Sequence, residues 1–147
     1  MADVARASRE SWGEALGIVA QANALSERLE VLAEADADVF AAALVALATP
    51  SAELEQHMRR AAALPLEIAE ASADVASLAL VVAERCDGLV RADAAGAAAL
   101  AAGAAAAAAH LVRANLTVQE DDPRLVNALR AADNARYSAS RALQADV

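Results

Sequence analysis

The sequence predicts an all-α antiparallel bundle of about five helices, in a single domain spanning residues 1–147. Three observations carry this. Apolar residues recur at helical spacing, and no strand-like alternation of any length occurs. The chain is 59% hydrophobic but only 2% aromatic, so its core is built from Ala, Leu and Val in thin layers with close helix contacts. Residues 91–116, RADAAGAAALAAGAAAAAAHLVRANL, form one run of alanine and glycine. Alanine is the best helix former, and a helix apolar all round is buried. A buried Ala/Gly-rich central helix is therefore expected. Thin layers bury little area per residue, so an oligomeric interface adds needed stability.

The first helical segment covers residues 8–47. Trp12, Leu16 and Val19 fall at i, i+4 and i+7, and Leu25, Leu29, Leu32, Asp36, Phe40 and Leu47 continue the stripe. One straight helix of this length measures about 60 Å at 1.5 Å per residue. A compact domain of this size is roughly 40 Å across. The helix must bend, break or project onto a second subunit, with Gly13, Gly17 and residues 23–26 as weak points. Thr49-Pro50-Ser51 ends it, because proline cannot continue the hydrogen-bond ladder. Ser51 with Glu53 and Glu55 starts a short helix over 51–64. Pro65 kinks that helix or opens the next, over 65–85, whose stripe is Leu66, Ala69, Ala73, Ala76, Leu80 and Ala83. Cys86-Asp87-Gly88 stops it. The alanine-rich helix follows, over 91–117. After a solvated loop, Asp122-Pro123 starts a last helix to about residue 143, with a face of Leu125, Leu129, Ala132, Arg136 and Leu143.

Charge and composition exclude several function classes. The net charge of −9 repels phosphate backbones, which argues against a nucleic-acid partner. A single cysteine, Cys86, cannot form an internal disulfide and fits a reducing cytoplasm. The N-terminus, MADVARASRESW, has no signal-peptide apolar core. Residues 94–112 are long enough to span a membrane, but alanine and glycine gain little in lipid and no aromatic belt flanks them. A buried helix of a soluble bundle is the expectation, with no membrane partner.

Few polar residues interrupt this pattern. Asp36 shares a face with Leu32 and Phe40, and a carboxylate on a buried stripe must find a partner or shift its pKa upward. It is a candidate general acid/base or a group that grips a substrate amide; its alternatives are a core carboxylate paired with arginine, or a stripe that rotates at Asp36. Asp38 lies off that face and is expected in solvent. Asp93 opens the alanine-rich helix, where acids also serve the orphan amides and the helix dipole. His110 sits among alanines as a core or interface residue or a binding group. Arg113 and Asn115 close the helix, either capping it or lining a cleft. His57 and Arg59-Arg60 read as a solvated face. Two histidines with no Cys/His cluster at ligand spacing give no basis for a metal site. No phosphate loop, nucleophile elbow or Ser/His/Asp set is visible.

Three phrases together add a resemblance. ERLEVLAEADADVFAAALVAL, then RRAAALPLEIAEASADVASLA, then RADAAGAAALAAGAAAAAAHLVRANL resemble the cyclodeaminase/cyclohydrolase family. That family includes the cyclodeaminase part of formiminotransferase-cyclodeaminase and bacterial methenyltetrahydrofolate cyclohydrolases. The matching features are Asp36 to Phe40 after a leucine-rich turn, the Pro65-Leu66 helix start, and Asp93 opening an alanine helix that ends at Asn115-Leu116. They cover residues 26–116. The resemblance implies a tight homodimer and a cleft for a reduced folate, a methenyl- or formiminotetrahydrofolate, as substrate, with no metal. It implies catalytic roles for Asp93 and Asp36, and substrate-binding roles for Arg113, Asn115 and His110. One departure stands out: family members begin with a Pro-Gly-Gly-Gly-Ser-type turn and an alanine-rich first helix, and neither occurs here. The N-terminus aligns with the second family helix, so reduced or altered activity is expected. The alternatives are a non-catalytic dimeric scaffold and a bundle repurposed for another small molecule.

Overall fold

The computed structural model describes residues 12–48, 58, 61–86, 88–116 and 122–145. Among these residues there are four helices and no strand: α1 (Ala15–Ala48), α2 (Ala63–Arg85), α3 (Leu89–Asn115) and α4 (Pro123–Gln144). The all-α class is as the sequence predicts. Of the expected short helix over 51–64, residues 51–57, 59 and 60 lie outside the described residues, among them His57, Arg59 and Arg60, while Ala63 and Leu64 belong to α2.

α1 is one continuous helix of 34 residues, about 50 Å long. The expected weak points behave differently from one another. Gly13 lies in the turn before the helix, whereas Gly17 and residues 23–26 are inside it. A glycine in a helix interior costs only about 1 kcal/mol, which a helix of this length absorbs. The start of α1 is anchored. Trp12 is buried, its indole N–H donates to Glu14 Oε2 at 3.4 Å, and the Arg85 guanidinium lies 6.0 Å from its ring centroid.

The helix boundaries follow local chemistry. α2 begins at Ala63, so Pro65 falls in its first turn, where backbone N–H groups have no intrahelical acceptor. Gly88 joins α2 to α3 with φ of +62°, a conformation that L side chains resist. Asp122 caps α4 by accepting from the Arg124 backbone N–H at 2.9 Å, and Pro123 fills the first helical position.

The core lies among α2, α3 and α4, which pack on one another in all three pairs, while α1 rests mainly on α2. The expected α2 stripe is confirmed: Ala69, Ala73, Ala76 and Ala83 are buried, and Leu66 and Leu80 pack against the core edge. Two expectations need correction. α3 is not buried all round, since only 39% of its most apolar window is covered. It buries one stripe, including Ala94, Ala98, Ala101, Ala105, Ala108 and Val112, and leaves Leu100 79% exposed. In α4 the buried stripe is Leu125, Ala128, Ala132, Ala135, Ala139 and Ala142, while Leu129, Arg136 and Leu143 face outward. Both corrections have one cause. Close helix approach selects methyl groups for the inside, so larger apolar residues are displaced to the rim.

Candidate functional site

α1 and α2 run antiparallel, and a groove of about 530 Å³ opens between them. The size suits a small molecule. Ile18, Leu25, Leu78 and Val81 give it apolar walls, and the exposed Ala24 also lines it. Position 28 is the last groove residue of α1 and position 74 the first of α2, so Arg28 and Asp74 both line the same end of the groove without an ion pair between them. Arg28 reaches Glu67 at 3.9 Å, and both side chains are roughly half exposed. Asp74 makes no hydrogen bond or ion pair among the described residues. Ser77, also in the groove, donates its hydroxyl proton to the Ala73 carbonyl at 3.0 Å. The buried Ser138 hydroxyl lies 3.4 Å away, so it is placed to donate to Ser77. The Ser77 hydroxyl is thus engaged within the fold, and Arg28 and Asp74 are the charges facing the groove.

The residues singled out from sequence divide between the two ends of the bundle. Asp93 is exposed in the second turn of α3. That end adjoins the C-terminus of α2, because Arg91 Nε donates to the carbonyls of Ala83 at 3.2 Å and Cys86 at 2.9 Å. Asn115 is at the other end, where its Nδ2 donates to the Ala61 carbonyl at 2.8 Å. Asp36 belongs to this second end too, eight residues along α1 from Arg28 and thus level with the start of α2. Asp36 and Asp93 are therefore separated by about the length of α2, roughly 35 Å. His110 and Arg113 are exposed near the Asn115 end. One protomer does not bring the two acids into a single cleft.

Asp36 is half-buried on the Leu32 face, and Asp38 is exposed, as their spacing predicts. Burial raises the Asp36 carboxyl above its usual pKa of 3.8. A folded-state pKa above the unfolded one favours folding at low pH, and that contribution is lost as pH rises through the raised value. Asp36→Asn, which removes the charge, is therefore expected to raise the Tm at pH 7 and leave it unchanged near pH 3. Thermal melts followed by circular dichroism at the two pH values check this; an equal gain at both contradicts it.

Arg28 and Asp74 were not singled out from sequence. The signal was an acidic stripe, Glu67, Glu70 and Asp74 at i, i+3 and i+7, which ordinarily reads as a solvated face. Of that stripe only Asp74 lines the groove, opposite α1. No group of three His, Cys, Asp or Glu side chains capable of holding a metal gathers among the described residues.

Residues 3–135 match the sequence model of a family described as formiminotransferase-cyclodeaminase. No curated protein and no solved structure matches the chain.

Proposed function

Because the chain belongs to the formiminotransferase-cyclodeaminase family, we propose that it binds a reduced folate carrying a one-carbon bridge and acts on it as a cyclodeaminase or cyclohydrolase of reduced or altered activity. The family match over residues 3–135 carries this reading. The groove between α1 and α2 is large enough for a flat heteroaromatic ligand, but Asp36, Asp93, His110, Arg113 and Asn115 lie outside its lining. Chemically, in the hydrolase direction water adds to the cationic amidinium carbon and one of its two C–N bonds then breaks to leave a formyl group; in the deaminase direction the second folate nitrogen adds to the formimino carbon and ammonia leaves as the bridge closes. A carboxylate takes the proton of the attacking water or orients the reacting nitrogen. Asp36, its pKa already raised, suits proton transfer, and Asp93 is the second catalytic candidate. His110, Arg113 and Asn115 are proposed to contact substrate.

Since Asp36 and Asp93 occupy opposite ends of one protomer, they serve a single reaction only where two protomers meet. The reading therefore includes a homodimer. Exposed apolar side chains on α1 and α3, such as Phe40, Val45 and Leu100, support such an interface. The exposure of Asp93, His110 and Arg113 favours a second reading, a non-catalytic dimeric scaffold.

Loss of methenyltetrahydrofolate absorbance tests the first reading. The parent chain is expected to exceed the buffer rate, and Asp93→Ala to lower the enzymic rate about a hundredfold. Equal rates in the two proteins, or none above buffer, would leave the scaffold reading.

A further inference from the structure

The outer side of α3 carries a heptad line of its own. Asp93, Gly96, Leu100, Gly103, Ala107 and His110 are all exposed, and their spacings alternate between three and four residues. No charged residue occurs between Asp93 and His110, although the chain as a whole carries a net charge of −9. Leu100, near the middle of the line, is 79% exposed. Glycine is unfavourable in a helix interior. Nothing inside the protomer calls for Gly96 or Gly103, because a side chain at either would meet no packed neighbour within 4 Å.

We infer that α3 pairs antiparallel with α3 of a second copy along this line, with Leu100 of each protomer seated over the partner's Gly103. In that register Gly96 meets the partner's Ala107, and Asp93 meets the partner's His110. A second copy fits because the line carries its own complement. Knob and hole, and acid and base, stand at positions that an antiparallel two-fold axis exchanges. The apolar knob fills the space where a side chain is missing, which lets the two helices approach closely. Arg113, exposed one turn beyond His110, adds positive charge at the end that receives the partner's acid. This deepens the two-protomer reading above and rests on it for its chemical consequence. Asp93 of the partner subunit arrives at the end of the bundle that holds His110, Asn115 and Asp36, so neither protomer completes that end alone.

Sedimentation velocity of the full chain tests the pairing. The parent is expected to be a dimer at roughly 50 µM, in keeping with a contact built on one helix pair. Gly103→Glu, whose side chain has open space in the single protomer, is expected to give a monomer with unchanged helical circular dichroism. Asp93→Lys and His110→Glu are each expected to weaken the dimer about tenfold. The two together exchange the charges and are expected to return the dissociation constant to within about twofold of the parent's. If Gly103→Glu dimerises as the parent does, this seam is overturned while the two-protomer reading survives. If the double variant is weaker than either single one, the register is overturned. If the parent is a monomer, the seam and the two-protomer reading both are.

Discussion

Replacing Ala105 with leucine is expected to destabilise the bundle by about 3 kcal/mol. Ala105 is fully buried in the cluster where α2, α3 and α4 meet, which also holds Ala73, Ala108 and Ala128. Where small residues face each other, helix axes approach closely and no gap remains for three further carbons. The added side chain must force the helices apart or adopt an unfavourable rotamer. In a chain of this length such a loss lowers the Tm by roughly 10 °C. The same change at Ala107 on the exposed side of α3 is expected to shift the Tm by no more than about 2 °C. Paired thermal melts check the contrast; equal shifts at the two positions contradict the packing described.

Arg91→Ala is expected to cost about 2 kcal/mol. Arg91 Nε donates to the carbonyls of Ala83 and Cys86, and an Nη donates to the Ala145 carbonyl at 3.2 Å. One guanidinium thereby serves the C-terminal ends of both α2 and α4, where free carbonyls and the helix dipoles favour a positive charge. Its neighbour Arg141 reaches Glu84 at 3.2 Å across the same end, but both side chains are about half exposed, so that pair contributes little. Urea denaturation followed by Trp12 fluorescence measures the effect, since Trp12 is the only tryptophan and is buried. Arg91→Lys, which keeps the charge but not the planar fork, is expected to recover less than half of the loss.

Much of the fold was legible because its signals are local. Proline, the Cys86-Asp87-Gly88 stop and the Asp122-Pro123 cap mark helix ends through backbone chemistry that does not depend on partners. The α2 stripe was legible because leucines and alanines alternate with Glu67, Glu70 and Asp74, which fixes the outward face. α3 gave no such contrast. An alanine is equally at home in the core and in water, so the sequence of α3 does not reveal which side is buried. The same ambiguity rotated the expected face of α4, where leucines suggested a core that methyls occupy.

The site was legible only in part. Asp36 announced itself because a carboxylate on a leucine stripe conflicts with its surroundings, and its raised pKa follows from that conflict. Arg28 and Asp74 do not conflict with theirs, since each lies on an outward helical face. Their significance comes from antiparallel packing of two helices separated by a proline-containing connection, a relation that local spacing does not encode.

A methyl interior alters what ordering the chain requires. Alanine has no side-chain rotamers to lose, whereas an immobilised leucine surrenders about 0.5–1 kcal/mol. The inner layer of α2, α3 and α4 thus offsets its modest burial by giving up little freedom when it assembles. Modest apolar burial also means a small heat-capacity increment on melting. Such a bundle has a shallow, broad stability curve, and cooling or warming over tens of degrees changes its folded fraction less than it would for a protein with a leucine-rich centre.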